Sequence, residues 1–145
     1  MTRKITPSDR QDYLKMAEEF YNSSAVSHPV PPENFRQAFE HMINDGRYMN
    51  GFIIEHNGET AGFCAVAKTY SQEAGGIVIW IEDFYVRPEF QSKGLGRECL
   101  EYIRKCYSEA VRFRLEVTDV NEGARRLYER MGFEVSPYIN MVKEL

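Results

Sequence analysis

The run Ile77-Val78-Ile79-Trp80-Ile81-Glu82-Asp83-Phe84-Tyr85-Val86 is the most strongly patterned stretch of this 145-residue chain. Its β-branched and aromatic residues are typical of a buried strand. Two acids, Glu82 and Asp83, interrupt this otherwise apolar run. Arg87-Pro88 ends the strand, because proline has no N–H group to give to a sheet. We therefore predict a central strand that carries two adjacent carboxylates.

A glycine-containing loop and then a helix follow this strand. The helix is indicated by an apolar stripe at three- and four-residue spacing, formed by Leu95, Cys99, Tyr102, Ile103 and Cys106. N–H groups in the first turn of a helix lack partners, and glycines let an anion approach them. Lys93 and Arg97 add positive charge. This order of elements predicts a phosphate or pyrophosphate site, although Gly94 and Gly96 alone would also fit a plain turn.

Two common phosphate-binding motifs do not fit this loop. The Walker A pattern G-x-x-x-x-G-K-[ST] occurs nowhere in the chain. The dinucleotide fingerprint would place Cys99 where a small residue is wanted, although Glu116 lies where a ribose-binding acid is expected. The glycines also follow the strand at a distance instead of in a tight turn. A dinucleotide-binding fold is therefore disfavoured.

Composition sets broad limits on the protein. The length fits a single domain spanning 1–145, and 43% apolar with 13% aromatic residues indicates a globular chain. The net charge of −4 argues against a nucleic-acid partner. No apolar stretch approaches the ~20 residues of a membrane span, and no signal peptide is recognisable, so we expect a cytoplasmic protein without a membrane partner. Three cysteines without C-x-x-C spacing argue against a disulfide framework or a bound metal.

The remaining elements are predicted from periodicity, caps and turn residues. Ser8 is the expected N-cap of the first helix, Asn57-Gly58 indicates a hairpin turn, Asn121 begins the last helix and Gly132 ends it. Gly62 suggests a bulge or a close approach of two backbones. The predicted strands are 3–6, 49–56, 59–70, 112–117, 133–135 and 138–143 in addition to the central strand, and the second helix spans 33–44.

Two motifs give the chain a family resemblance. The run Val86-Arg87-Pro88-Glu89-Phe90-Gln91-Ser92-Lys93-Gly94-Leu95-Gly96 resembles the acetyl-CoA loop of the GNAT N-acetyltransferase superfamily, V-x-P-x-x-[RQ]-x-x-G-x-[GA]. The pattern Asn121-x-x-Ala124-x-x-x-Tyr128-x-x-x-Gly132-Phe133 is similar to a second family pattern. The resemblance implies an α/β (α+β) fold. Its mixed, mostly antiparallel sheet would have about seven strands, flanked by about four helices.

The resemblance also implies how acetyl-CoA, the acyl donor, would bind. The loop would hold the pyrophosphate, and the pantetheine arm would run along the central strand as an extra strand does. A β-bulge near Asp83 to Phe84 would free a backbone N–H for the thioester carbonyl. The expected acetyl-CoA-binding residues are Phe84, Tyr85, Val86, Gln91, Ser92, Lys93, Gly94, Leu95, Gly96, Arg97 and Asn121.

Acetyl transfer to an amine needs a base, because an aliphatic amine titrates near 10 and is protonated at neutral pH. Glu82 is the first candidate, since its segment looks like the matching strand of GNAT polyamine acetyltransferases. Glu116 resembles the glutamate of N-terminal acetyltransferases that modify a ribosomal protein. Asp83 could instead bind the ammonium of the substrate, and each acid could simply be solvated. The family pattern makes Tyr128 the general acid for the leaving thiolate, with core packing as its alternative role.

The resemblance leaves the acceptor open. In the family fold, the first two helices and their link form one wall of the acceptor cleft, which makes His28 in that link a candidate substrate contact. We expect the primary amine of a small molecule. The alternatives are a protein N-terminus or lysine, and a non-catalytic acyl-CoA sensor. A homodimer is expected by analogy alone.

Overall fold

Five strands and four α-helices make up the computed structural model, which describes residues 1–145. The strands are β1 (Thr2–Lys4), β2 (Asn50–His56), β3 (Glu59–Ser71), β4 (Gly76–Val86) and β5 (Ala110–Leu115). The helices are α1 (Arg10–Tyr21), α2 (Pro32–Asn44), α3 (Leu95–Cys106) and α4 (Glu122–Arg130). None of these helices is long and apolar enough to cross a membrane.

The strands form one open sheet in the order β1-β2-β3-β4-β5. The first three pairings are antiparallel, and only β4 and β5 run parallel. The prediction of a mixed, mostly antiparallel sheet with about four helices is therefore confirmed. The expected number of about seven strands is wrong, because the sheet has five.

The two missing strands are those predicted near 133–135 and 138–143. Residues 134–145 make no backbone–backbone hydrogen bond. This segment is held by side chains instead: the Tyr138 hydroxyl donates to Glu73 at 3.2 Å and the Asn140 amide to Glu116 at 2.7 Å. Its apolar residues, such as Ile139, are almost fully exposed. A strand requires a neighbour that pairs its N–H and C=O groups, and an apolar pattern alone does not supply one.

Helices pack on both faces of the sheet. One apolar cluster joins α1 and α2 to β2 and β3, with Tyr13, Phe39, Ile53 and Phe63 at its centre. The other joins α3 and Tyr128 of α4 to the opposite face. The buried residues of α2 are Phe35, Phe39 and Met42, and Tyr128 is the buried residue of α4. The central strand β4 is therefore covered on both sides.

Turn chemistry sets the register of the β2–β3 hairpin. Asn57 and Gly58 both have positive φ, 51° and 81°, as a two-residue primed turn requires. Gly62 lies beside β4, where a Cβ would collide with the carbonyl oxygen of Tyr85. The predicted turn and the predicted close approach are both confirmed.

The entry to α1 differs from the prediction. The chain passes from β1 into a short 3₁₀ turn, Pro7–Asp9, whose N-cap is Thr6 and not Ser8. The buried Asp9 carboxylate accepts hydrogen bonds from the Thr6 N–H at 2.7 Å and from the Arg3 guanidinium at 2.8 Å. The hydrogen bonds from Arg3 and Thr6 lower the pKa of Asp9 to about 2. Asp9 thus ties the first strand to the first helix.

We expect Asp9→Asn to destabilise the fold by roughly 1–2 kcal/mol at pH 7, less than the full pKa shift implies because Arg3 is partly exposed. The native pKa is depressed, so this contribution is present above about pH 4 and is lost as the pH falls toward 2. Urea unfolding across that range measures it. Asp12→Asn is the control, because Asp12 is exposed and its loss should change stability by at most about 0.5 kcal/mol. Equal effects of the two variants would contradict the prediction.

Candidate active site

A β-bulge in β4 creates the cleft. Ala65 of β3 pairs with Asp83 and Val66 pairs with Ile81, so Glu82 is an extra residue without a partner on β3. The bulge therefore lies one residue before the expected position. Pairing with β5 ends at the same point, at Ile81 opposite Leu115. From residue 83 to residue 86, β4 has a paired neighbour on one side only, and a cleft opens on the other.

This cleft brings together residues that are distant in sequence. Five of the predicted site residues line it: Glu82, Phe84, Glu116, Asn121 and Tyr128. Phe20 and Ala25, from α1 and the link after it, form the opposite wall. The link is joined to the segment after β5 by a hydrogen bond of 3.4 Å from the Thr118 hydroxyl to the Ser24 carbonyl. The cleft is therefore bounded by both helical layers.

Three carboxylates lie at or beside the cleft, and none forms a salt bridge. These are Glu82, Asp83 and Glu116, which are absent from all eleven ion pairs of the chain. Burial raises the pKa of Glu82, and the negative charges of Asp83 and Glu116 raise it further. Because its neighbours disfavour its charged form, Glu82 is more basic than an ordinary glutamate.

Asp83 lies on the α1-facing side of β4. Its Oδ1 accepts a hydrogen bond of 2.8 Å from the Tyr21 hydroxyl. Burial raises the pKa of Asp83, and the Tyr21 hydrogen bond opposes that shift. Asp83 itself does not line the cleft, but Phe20, whose ring is 5.0 Å from that of Tyr21, does. The structure thus separates the two adjacent acids onto different sides of the strand.

Tyr128 projects from α4 into the cleft and packs against Phe84 and Phe133, with ring centroids 6.3 and 5.8 Å away. Its hydroxyl makes no hydrogen bond within the chain. Thr2 Oγ1 is the only side-chain polar atom that is both inaccessible to solvent and without a hydrogen-bond partner. The Tyr128 hydroxyl, which also has no partner, is therefore accessible to solvent. Burial raises the pKa of Tyr128, which keeps the phenol protonated at neutral pH.

The loop before α3 presents free donors. The backbone N–H groups of residues 92–97 make no hydrogen bond to the chain backbone. Gly94 is the N-cap with φ of 79°, and a Cβ there would meet nothing within 4 Å. Lys93 makes no salt bridge, while Arg97 pairs with Glu101 one turn along the helix. These free N–H groups at a helix start, beside an unpaired lysine, fit a pyrophosphate.

The residues predicted to hold the pantetheine arm differ in side-chain direction. Phe84 and Val86 pack toward the α3 and α4 layer. Tyr85 points to the other face, where its hydroxyl donates to Glu19 of α1 at 3.2 Å. At Tyr85, the backbone therefore lies on the open edge of the strand, but the side chain does not. The Gln91 amide donates to the Val86 carbonyl at 2.9 Å, which fixes the start of the loop.

His28 is exposed, and its Nδ1 lies within hydrogen-bond distance of the neighbouring Ser27 hydroxyl, at 3.1 Å. It does not line the cleft, so its contact with substrate stays a prediction. Conversely, Tyr21, Thr118 and Asn140 reach the site without having been singled out from the sequence. Tyr21 was recognisable only as an inward residue of a helix, and nothing local in the sequence indicated its partner.

No group of three or more His, Cys, Asp or Glu residues that could hold a metal ion is present. The donor set of the cleft consists instead of separate carboxylates, an amide and a phenol, and all of them are suited to contacting an organic molecule.

Comparison with known proteins identifies the family and the fold. Residues 12–133 match the model of the acetyltransferase (GNAT) family. The chain is 32% identical over 146 residues to the thialysine N-epsilon-acetyltransferase of Sus scrofa, covering 91% of this chain and 82% of that protein. It is 28% identical over 139 residues to the 5-NmdU N-acetyltransferase of Pseudomonas phage PaMx11, covering 94% and 88%. Among solved structures, AAC(6')-Iy bound to a bisubstrate analogue, CoA-S-monomethyl-acetylneamine, superposes with a TM-score of 0.82 at 13% identity, covering 100% of this chain and 97% of that one.

We expect Gly94→Glu to abolish acetyl-CoA binding, because it places a side chain and a negative charge where the pyrophosphate should lie. Isothermal calorimetry measures the affinity, and circular dichroism checks the fold. Gly75→Glu is a matched control: Gly75 has φ of 76° and open space around it, so it carries the same backbone strain far from the loop. Unchanged acetyl-CoA affinity in a folded Gly94→Glu protein would exclude the loop from the site.

Proposed function

The chain belongs to the GNAT acetyltransferase family, and we propose that it transfers an acetyl group from acetyl-CoA to the primary amine of a small cationic molecule by direct attack. The observation that carries this proposal is the cleft at the β4 bulge. It combines a carboxylate of raised pKa, Glu82, with a protonated phenol, Tyr128, beside an open strand edge. These are the groups that amine deprotonation and thiolate protonation require.

The reaction follows from these positions. The acceptor arrives as an ammonium ion and gives a proton to Glu82, directly or through one water molecule. The neutral nitrogen attacks the thioester carbonyl carbon, so that a C–N bond forms and the C–S bond breaks. A backbone N–H freed by the bulge stabilises the oxyanion. The departing thiolate takes a proton from Tyr128. The attacking nitrogen still carries one proton too many for an amide, and it gives that proton up to restore the Tyr128 phenol, directly or through solvent. The products are an N-acetylated amine and coenzyme A, and Glu82 releases its proton to solvent.

The negative charges at the cleft support a cationic acceptor. Glu82, Asp83 and Glu116 lie close enough for the charges of Asp83 and Glu116 to shift the pKa of Glu82, and no Lys or Arg neutralises them. Leaving carboxylates unpaired in a partly buried site is unfavourable unless a cation visits it. An acceptor that carries ammonium groups supplies this cation.

The shape of the cleft supports a small molecule over a protein. A peptide or protein N-terminus needs an open groove, but here Phe20, Ala25 and the Thr118–Ser24 hydrogen bond border the acceptor side. The non-catalytic sensor would be favoured by the loss of Tyr128 or of the acids, and all of them are present.

A homodimer is also part of the proposal. The outer edge of β5 is unpaired, and Ile139, Met141 and Val142 of the C-terminal segment are each about nine-tenths exposed. An unpaired edge and exposed apolar side chains are features that association covers.

Measuring coenzyme A release with a panel of acceptors tests the function directly. The panel contains spermidine, thialysine, an aminoglycoside and short peptides with free N-termini or lysines. We expect small amines to be acetylated and the peptides to be poor acceptors. Preferential acetylation of peptides would favour the protein acetyltransferase. Binding of acetyl-CoA without turnover on any acceptor would favour the sensor.

If Glu82 is the base, Glu82→Gln should lower kcat by roughly 10²–10⁴-fold, the usual scale for the loss of a general base. The base acts as a carboxylate, so wild-type activity should fall as the pH drops through the raised pKa of Glu82. This acidic limb should disappear in the variant. Steady-state rates measured from pH 5 to 10 give both quantities.

Glu116→Gln is the matched comparison, because Glu116 lines the same cleft but its carboxylate is bonded to Asn140. We expect it to lower activity less than Glu82→Gln and to shift the acidic limb to lower pH, since it removes one negative charge near Glu82. An increase in the KM of the amine alone, with kcat unchanged in Glu82→Gln, would make Glu82 a binding residue instead.

Tyr128→Phe should preserve acetyl-CoA affinity and stability while lowering kcat, because phenylalanine keeps the ring contacts with Phe84 and Phe133 and removes only the hydroxyl. Loss of kcat without loss of donor binding is the signature of an interaction made in the transition state. Any basic limb that Tyr128 causes should lie above the ordinary pH 10 of a phenol. A variant that turns over at the wild-type rate with every accepted amine would reduce Tyr128 to a packing residue.

A further inference from the structure

Asp83 is a largely buried carboxylate without a cationic partner. Its pKa is raised by burial, and the chain supplies it with one hydrogen bond, from Tyr21 to Oδ1 at 2.8 Å. Oδ2 has no partner within the chain. Oδ2 is nevertheless accessible to solvent, because Thr2 Oγ1 is the only solvent-inaccessible side-chain polar atom without a hydrogen-bond partner. One oxygen of Asp83 is thus held, and the other remains available to a ligand.

Tyr21 is itself held in place. Its ring stacks on that of Phe35 from α2, with centroids 5.7 Å apart and planes only 10° from parallel. The ring of Phe20, which lines the cleft, contacts it at 5.0 Å. Because both rings constrain the tyrosine, its hydroxyl donates to Asp83 from a position set by α1 and α2. The bond therefore links the helical layer of the acceptor side to the bulged strand.

We propose that Tyr21 is a positioning residue for the acceptor: its hydroxyl fixes the Asp83 carboxylate so that the free Oδ2 receives the incoming ammonium group. This inference rests on the proposed function and adds the residue that prepares the acceptor site. The ammonium first donates to Oδ2 while Oδ1 stays bonded to Tyr21, and it then gives its proton to the adjacent Glu82, directly or through water. The binding step itself changes no covalent bond. Tyr21 acts only through Asp83 and touches neither the thioester nor the leaving group.

Because of the groups around Asp83, its protonation state depends on the hydrogen bond from the Tyr21 hydroxyl. Tyr13 and Tyr21 face it from α1, Cys64 from β3 and Glu82 from β4, and Glu116 of the segment after β5 lies beyond Glu82. None of these groups is a cation at neutral pH. The Tyr21 hydroxyl is therefore the interaction within the chain that favours the ionised form of Asp83.

Tyr21→Phe tests the proposal, since it keeps the ring and its stacking on Phe35 and removes the hydroxyl. We expect the KM of the amine to rise about tenfold, the order of a lost hydrogen bond to a charged group, with kcat and acetyl-CoA affinity nearly unchanged. Losing the donor raises the pKa of Asp83, so the acidic limb of kcat/KM should move to higher pH. A residue that merely packed would leave that limb in place.

Tyr13→Phe is the matched control, because Tyr13 is on the same helix, is buried and makes no hydrogen bond to Asp83. It should leave the KM of the amine and the pH profile unchanged. In the background of Asp83→Asn, Tyr21→Phe should have little further effect, because its action passes through the carboxylate. Equal effects in both backgrounds, or an unchanged KM and pH profile in Tyr21→Phe, would overturn the proposal.

A measurement without turnover separates this inference from the proposed function. In protein labelled with ¹³C at the aspartate carboxyls and assigned with Asp83→Asn, spermidine or thialysine added in the presence of coenzyme A should shift the Asp83 signal. The shift should require higher amine concentrations in Tyr21→Phe. If neither amine is acetylated but the signal moves, the proposed function fails and the inference stands. If neither amine moves the signal, the inference fails even when acetylation occurs.

Discussion

One extra residue in one strand organises this protein. The bulge at Glu82 interrupts the ladder between β3 and β4, and pairing with β5 ends at the residue before it. A continuous sheet buries its central strand between neighbours, so a ligand can reach that strand only where pairing stops. The proposed donor edge, the proposed base and the mouth of the cleft all depend on this single irregularity.

The electrostatics of the site follow from the same feature. The bulge directs Glu82 to the cleft and Asp83 to the α1-facing side, so that two consecutive acids occupy different environments. Burial and mutual repulsion raise the pKa of Glu82, whereas the Tyr21 hydrogen bond partly offsets the burial of Asp83. The pKa values of both carboxylates are raised, but different surroundings act on each of them, so the two acids are suited to different roles. The carboxylates of this site have no counter-ion within the chain, and the proposed cationic acceptor would supply one.

The two ends of the proposed reaction are supplied by different parts of the fold. The donor side is local, because the free N–H groups of residues 92–97 belong to one loop and one helix start. The acceptor side is assembled from α1, the link after it, β4, β5 and the segment before α4. A local anion site can be retained while the assembled side changes, which fits a family in which relatives named for thialysine and for 5-NmdU are both similar to this chain.

The sequence by itself determined the local features: the central strand, the glycine loop before α3, the Asn57-Gly58 turn and the helix from Asn121 to Gly132. Each of these depends on neighbouring residues, through β-propensity, positive φ, capping or apolar periodicity. The number of strands was not determined in this way, because the apolar pattern of residues 133–143 does not show whether a neighbour pairs with it. The Thr6 cap, which replaces the expected Ser8, is also local, because Thr6 and Asp9 lie three residues apart. Only the tertiary structure decided that Arg3 of β1 binds Asp9 and that Tyr21 holds Asp83 across 62 residues of chain. These contacts depend on where separate elements pack, and no spacing within one element contains that information.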